Sequence, residues 1–300
     1  MNAQNKTKSA FVTIIGRPNV GKSTLLNTLL GEKIAIVSNK PQTTRTRITG
    51  VLTKGLNQYV FIDTPGLHKP KNLLGEYMMK AVGSAMTDND VTLFVIEVDA
   101  HLNIAEKAAL EKLSAIGGKT ILIINKVDIV NKVKVAESIS AISKLYNFHS
   151  IIPISALNKD GIDIIFDELE PLLQESPHFF PEDMLTDIPE KQLVAEIIRE
   201  KILRLLDEEI PHGIAVNIEE FKETKKLLSI RAEIYCEKES HKRIIIGKNG
   251  DMLKKIGTYA REDAEKFFDI KIFLDLWVKV KENWRDRRTL LSDFGFKDEK

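Results

Sequence analysis

The sequence predicts an α/β domain, a mostly parallel sheet with helices on both faces, followed by a smaller α+β domain. Up to about residue 174, short continuous apolar runs alternate with helix-length stretches, the pattern of strands buried on both faces. Beyond about residue 190 the order changes to helix, strand, strand, helix, helix, strand. At 300 residues the chain exceeds one typical core, so two domains are the natural division.

The first strand is expected at Phe11–Ile15, with a helix at Lys22–Leu30. A strand near Arg47–Lys54 should pair antiparallel with Tyr59–Ile62 around a turn at Gly55–Asn57. Strands Val91–Ile96, Thr120–Ile124 and Ser150–Ile154 then alternate with helices Asn72–Thr87, Ile104–Ile116, Val133–Leu145 and Ile162–Leu173. Pro177, Pro181 and Pro189 lie among acidic residues and mark a linker. After it come an amphipathic helix Gln192–Leu206 and strands Ile214–Glu219 and Leu227–Tyr235. Two helical segments flank a glycine loop, and Ile270–Val280 is the last strand. The boundaries expected are an unstructured N-terminus over 1–10, a nucleotide domain over 11–175, a linker over 176–190, and a second domain with a C-terminal tail over 191–300.

Charge is balanced, with 44 Lys and Arg against 43 Asp and Glu, so no global attraction to nucleic acid or membrane follows. The longest apolar runs, such as Leu93–Ile96 and Ile121–Ile124, fall far short of the roughly 20 residues that span a bilayer. The polar stretch Met1–Ala10 does not read as a signal peptide. The lone Cys236 cannot form an internal disulfide, which fits a reducing cytosol, and reads as a small apolar filler in a strand.

The chemistry begins at Gly16-Arg17-Pro18-Asn19-Val20-Gly21-Lys22-Ser23, a full phosphate-loop pattern between a strand and a helix, with Thr24 next in that helix. Glycines let the backbone curl so that its N–H groups face phosphates, and the helix N-terminus adds positive potential. Lys22 suits the β- and γ-phosphates and Ser23 a Mg²⁺ ion. Asp63-Thr64-Pro65-Gly66 directly follows a strand. Asp63 is placed to hold Mg²⁺, and the Gly66 N–H can approach the γ-phosphate. Between these elements lies Gln42-Thr43-Thr44-Arg45-Thr46-Arg47, where one threonine, Thr44 in preference to Thr43, would complete Mg²⁺ coordination only when γ-phosphate is present.

The base is read at Asn125-Lys126-Val127-Asp128. Guanine presents two donors on one edge and the Asp128 carboxylate accepts both, whereas adenine offers an acceptor at N1. Lys126 can cover the base plane, and Asn125 can tie this loop to the phosphate loop. Ser155, Ala156 and Leu157 follow another strand, where a backbone N–H can meet guanine O6.

In the second half, Ile244-Ile245-Ile246-Gly247-Lys248-Asn249-Gly250 has the form of the GxxG loop of a KH domain. The helix and strand order matches the prokaryotic, type II arrangement. Residues 181–300 carry 24 basic and 26 acidic residues, yet Lys242, Arg243, Lys248, Lys254, Lys255 and Arg261 gather around this loop and suit a phosphate track. The RNA-binding set expected is Ile246, Gly247, Lys248, Asn249, Gly250 and Lys254, with Ile244–Ile246 beginning an apolar wall for bases. Trp277 and Trp284 are aromatic enough to stack bases, although Trp277 in an apolar strand reads as core.

The combination GRPNVGKS, QTTRTR, DTPGLHKP, NKVD and ISAL resembles translation-factor-type GTPases, and most closely the Era family of bacterial GTPases in the TrmE-Era-EngA-YihA-Septin-like class. The similarity continues through HFFPEDMLTD, EIIREKILRLL, IIIGKNGDMLKKIG and LWVKVKENWR and so covers almost the whole chain. The Der family, with two GTPase domains, is disfavoured because there is one phosphate loop. The resemblance implies a P-loop GTPase domain with a type II KH domain, GTP and GDP as ligands, Mg²⁺ held by Ser23, Thr44 and Asp63, and K⁺ at Asn19. It places Leu67 where Ras-like enzymes carry a water-orienting glutamine. It further implies a slowly hydrolysing switch in which Lys22, Asp63, Gly66 and Thr44 serve catalysis. The partners implied are the 3′ end of 16S ribosomal RNA and the 30S subunit, during whose biogenesis the family acts. A cytoplasmic monomer with peripheral association at the inner face of the cell membrane is implied as well. Against this stand a KH module with a non-hydrolysing nucleotide domain and a P-loop ATPase, the latter disfavoured by Asp128.

Overall fold

The computed structural model of the chain describes residues 6–98, 101–207 and 210–296. Its contacts divide the chain into two units, Met1–Lys69 with Met78–Asp187, and Pro70–Tyr77 with Ile188–Lys300.

The first unit is built on one sheet in the order β2 (Ile48–Lys54), β3 (Asn57–Asp63), β1 (Lys8–Ile15), β4 (Val91–Glu97), β5 (Lys119–Asn125), β6 (Ser150–Pro153). A short strand β7 (Gln174–Glu175) pairs antiparallel with the start of β1, and β2 with β3. The other pairings are parallel. Among the described residues it is accompanied by α1 (Lys22–Leu30), the part of α2 (Leu73–Thr87) from Met78 on, α3 (Ile104–Ile116), α4 (Lys132–Ile142) and α5 (Ile162–Leu169). Helical cover explains the unbroken apolar runs, since Val12, Ile14, Leu93, Phe94, Val95 and Ile121–Ile124 are all shut off from solvent. Because β1, β3, β4, β5 and β6 run the same way, their C-terminal ends open at one edge of the sheet. That edge collects the loops carrying the sequence motifs.

The boundaries differ from the sequence reading in several places. Strand β1 starts at Lys8, because the polar Lys8 and Ser9 still pair with Asn57 and Gln58; residues 1–5 of the N-terminus expected to be unstructured lie outside the described residues. Helix α4 stops at Ile142, short of Leu145, in a turn where Leu145 N–H donates to Ile142 O. Helix α5 passes into a 3₁₀ turn at Glu170–Leu172, where Pro171 has no N–H to continue the α pattern. The proline-rich segment read as a linker is docked on the first unit. Gln58, fully buried, accepts from Phe179 N and Phe180 N (2.8 and 3.0 Å) and donates to Phe180 O (2.8 Å). Val51 N–H donates to Leu185 O and Thr186 Oγ1 to Thr49 O, so this segment covers the free edge of β2.

The second unit contains α6 (Glu190–Leu205), β8 (Ala215–Glu223), β9 (Leu228–Cys236), α7 (Glu239–Ile246), α8 (Asp251–Phe268), β10 (Ile272–Val280) and α9 (Arg288–Asp293). Its sheet has the order β10-β9-β8, parallel between β9 and β10 and antiparallel between β8 and β9. Val194, Ile198 and Ile202 of α6, Ile245 of α7, and Ile256, Ala260 and Ala264 of α8 form a core with Ile230, Ala232 and Ile234 of β9. Cys236 is buried at the end of β9. The tryptophans reverse the sequence expectation. Trp277 is 56% exposed, because alternation along β10 turns Ile272 and Val278 inward and Phe273 and Trp277 outward. Trp284 is fully buried, donates from Nε1 to Gly213 O (2.9 Å) and packs against Phe294 and Phe296, so it is unavailable for stacking on a base.

Candidate functional site

A cleft of about 320 Å³ opens at the C-terminal edge of the first sheet. It is lined by Pro18, Asn19, Gly21, Lys22, Ser23 and Thr24, by Gly66 and Lys126, and by the stretch holding Ile36–Asn39 and Gln42–Thr44. The first residues of that stretch were not legible as site residues, because Ile36 and Val37 look like ordinary apolar filler. The phosphate-loop lysine is buried: Lys22 Nζ donates to Gly16 O (3.1 Å) and Arg17 O (3.0 Å), the inside of its own loop. Burial pushes its ammonium down to about 8, against the opposing pull of Asp63. A polyanion is the ligand that suits such a desolvated cation.

Gly66 lies against the phosphate loop. A Cβ there would sit 2.6 Å from Pro18 N, so no other residue fits without moving the loop. Leu67 N–H donates to Gly16 O (3.0 Å), while the Leu67 side chain is buried in the apolar core with Ile15, Val82 and Phe94. Thr64 Oγ1 is spent on Ile14 O (2.8 Å).

Ser23, Thr44 and Asp63 converge. Ser23 Oγ donates to Asp63 Oδ2 (2.6 Å) and lies 2.8 Å from Thr44 Oγ1, which in turn donates to Asp63 Oδ2 at 3.3 Å. Thr43 points elsewhere, its Oγ1 donating to Lys40 O (2.6 Å). Asp63 is fully buried, which raises its carboxyl pKa, and its Oδ1 has no hydrogen-bond partner. Two hydroxyls and an orphaned carboxylate oxygen form a hard-oxygen donor set that fits Mg²⁺. Among the described residues no group of three or more His, Cys, Asp or Glu side chains stands ready for a metal.

The Asn125–Asp128 loop is bolted from two sides. Asn125 Nδ2 donates to Val20 O (2.8 Å), and Asn125 Oδ1 accepts from Ala156 N (3.0 Å). One buried amide thus ties the phosphate loop, the Asn125–Asp128 loop and the Ser155–Leu157 loop together. Asp128 is exposed in the 3₁₀ turn Val127–Ile129, and Leu157 is 77% exposed. Lys126 Nζ donates to Asn19 O (2.8 Å) and pairs with the carboxylate of Glu97, which the sequence reading missed. Only the position of Glu97 at a strand end, beside Asn125, signals it.

The second unit holds a groove of about 380 Å³, lined by Gly250, Leu253, Lys254, Gly257, Thr258, Arg261, Leu274 and Leu276. Helix α7 ends at Gly247, whose φ of 76° with an extended ψ suits glycine, and a Cβ there would meet Met252 at 2.7 Å. Lys248 and Asn249 are exposed at the loop tip, Asn249 in the left-handed region at φ 54°. Gly250 and Lys254 line the groove. Ile246 does not, because it packs with the core beside the buried Ile245. The apolar wall is made instead by Leu253, Leu274 and Leu276, from α8 and β10.

Comparison with known proteins fits both regions. Residues 11–126 match the model of the 50S ribosome-binding GTPase family, and residues 209–285 match the KH domain. The chain is similar to GTPase Era of Ruminiclostridium cellulolyticum, 53% identical and covering 98% of this chain and 99% of that protein. GTPase Era of Clostridium kluyveri is 52% identical over 97% and 99% of the two chains. Among solved structures, Era in complex with MgGDPNP and nucleotides 1506–1542 of 16S ribosomal RNA superimposes with a TM-score of 0.93 at 39% identity, covering 97% of this chain and 99% of that one. An Aquifex aeolicus Era variant bound to GDP and AlF₄⁻ gives the same values.

Proposed function

The chain belongs to the Era family of GTPases, and on that premise we propose that it is a GTP-driven switch acting on the 3′ end of small-subunit ribosomal RNA during 30S biogenesis. One observation carries the reading: a single chain combines an Asn125-bolted guanine loop beside a buried Lys22 with a groove of about 380 Å³ beside a glycine loop. The relative solved with both MgGDPNP and 16S RNA supports joining the two ligands.

The residue roles follow from position. The phosphate-loop backbone from Gly16 to Thr24 cradles the phosphates, and Lys22 neutralises charge between the β- and γ-groups. The Gly66 N–H is aimed at the γ-phosphate, and Asp128 reads the guanine edge. Ser23, Thr44 and Asp63 hold Mg²⁺, which when bound offsets charge on the phosphate oxygens. Thr44 belongs to the 36–44 stretch, so its engagement ties that stretch to the triphosphate state. In the second unit Gly247–Gly250 and Lys254 hold the RNA backbone, and Leu253, Leu274 and Leu276 receive bases.

Hydrolysis without a partner is expected to be slow. Leu67 has no hydrogen-bonding side chain and is committed to the core, so it cannot orient water. Turnover on the order of 10⁻³ s⁻¹, the unassisted Ras scale, is expected. Asn19 donates from Nδ2 to Asn39 O (2.8 Å), which leaves its amide oxygen available for K⁺. Rates in KCl should exceed those in NaCl by about tenfold or more, still below the loss from removing one preorganised donor. Asn19→Ala should abolish the difference. Equal rates in the two salts for the native chain would remove K⁺ from the site.

The test of the whole reading is GTP turnover and nucleotide affinity measured with and without a single-stranded copy of the 16S 3′ end. Turnover near zero under all conditions, with GTP bound, would favour the non-hydrolysing alternative. For the cellular setting we propose a cytoplasmic monomer with peripheral contact at the inner membrane face, on the family resemblance. No described helix is long and apolar enough to cross a membrane. Sedimentation of the purified chain with and without anionic vesicles checks both parts.

A further inference from the structure

We propose that Glu97 is a positioning residue for the nucleotide, acting through Lys126 to fix the wall of the base slot and the adjoining turn of the phosphate loop. The inference rests on the reading of Asn125–Asp128 as the guanine site.

Its origin lies in strand register. Strands β4 and β5 run parallel with Glu97 opposite Asn125, so the last residue of β4 sits beside the first residue of the base loop. Lys126 comes next in the chain and turns there with φ 64°. Its ammonium then bridges two acceptors, the backbone oxygen of Asn19 and the carboxylate of Glu97. Asn19 is itself left-handed, at φ 67°. Two strained non-glycine turns, one in each nucleotide loop, are therefore joined through one ammonium group. A lysine stem is flexible and its rotamers are many. With Glu97 present, the stem is stretched between fixed points and offers a defined face to the base. Without it, the ammonium keeps only the Asn19 contact.

Exposure decides when the pair matters. The side chains of Lys126 and Glu97 are 37% and 35% exposed, so in the empty protein the ion pair is screened and adds little to stability. A base lying on the Lys126 stem excludes that water and strengthens the pair. Loss of Glu97 should thus lower nucleotide affinity while hardly moving the Tm of the empty protein. The stem touches the base face and Asp128 reads its edge, so the preference for guanine over adenine should stay unchanged.

The experiment is a double-mutant cycle of Glu97→Ala and Lys126→Ala, read by fluorescent GDP titration and by GTP kinetics. Glu97→Ala alone should raise the GDP Kd and the GTP KM together, by about five- to tenfold, the scale of one ordinary net hydrogen bond. The fall in kcat should be smaller than the rise in KM, as for binding shared by ground and transition states. Glu97→Gln keeps an acceptor oxygen without the charge and should recover part of the loss. In the Lys126→Ala background, Glu97→Ala should add nothing. An unchanged Kd, or a full effect that persists without Lys126, overturns the proposal. If Glu97→Ala does not fold, the Glu97→Gln cycle decides by the same criterion. Asp128→Asn, run alongside, separates the two failures. A base switch with an additive cycle sinks Glu97 alone, and no base switch sinks the guanine-site reading together with it.

Discussion

Replacing Asp128 with Asn is expected to convert the site from guanine to xanthine. The Asp128 carboxylate accepts from both N1–H and the exocyclic amine of guanine. Asparagine keeps one acceptor and puts an amide N–H₂ where the second oxygen stood, opposite the guanine amine. Xanthine carries a carbonyl there and accepts that donor. The loop should survive the change, because Asn125 and not Asp128 anchors it, to Val20 and Ala156. Asp128 is exposed in a short 3₁₀ turn, so no packing is lost. The loss for GTP should be about 3 kcal/mol, on the order of a hundredfold, since a charge-assisted pair is replaced by a facing pair of donors. XTP should gain by a similar factor. Displacement of labelled GDP by GTP, XTP and ATP measures both. Parallel weakening of GTP and XTP would mean that the loop collapsed. Equal competition by ATP against the native chain would sink the guanine reading itself.

The second large effect is expected at the tip of the glycine loop. Lys248→Asp with Asn249→Asp places two like charges where a phosphate backbone should pass. Both residues are exposed, and aspartate tolerates the left-handed backbone at 249 almost as asparagine does, so the fold should hold. Affinity for a single-stranded 16S 3′ fragment should fall by a few kcal/mol, on the order of a hundredfold or more. An unpaired tail should bind far better than a hairpin stem of equal length, whose base edges are hidden from Leu253, Leu274 and Leu276. The salt slope should be shallow, roughly −0.7 per phosphate contacted. GTP affinity without RNA should not change, because the loop belongs to the second unit. Paired titrations of the double variant with RNA and with labelled GTP decide the matter. Unchanged RNA affinity removes the loop from the site, and loss of both affinities indicates misfolding.

Much of the site was legible because its chemistry is local. Gly16–Ser23, Asp63–Gly66 and Asn125–Asp128 each sit at a strand end, and short-range strand and turn signals locate them. The choice between Thr43 and Thr44 was not local. Both side chains fit the pattern, and the bond from Thr43 Oγ1 to Lys40 O is a loop geometry that no spacing reveals. The proline-rich segment read as a linker on composition, yet Gln58, a polar residue in the middle of β3, holds Phe179 and Phe180. A buried glutamine is unremarkable in sequence until its partners are known.

The sequence by itself determined which strands are buried on both faces, which motifs stand at the C-terminal edge of the first sheet, and the family to which the chain belongs. These follow from residue type and spacing along a continuous chain. The tertiary structure alone decided that Leu253, Leu274 and Leu276, rather than Ile246, line the groove beside the glycine loop, that Trp284 is core, and that Glu97 grips Lys126. Each depends on which side of a strand or helix faces a neighbour distant in sequence. In the run Ile272–Val280 the alternation was itself legible, since the charged Asp275 and Lys279 share the face of Phe273 and Trp277, while the helices packed on the other side of the sheet fix that face as the buried one.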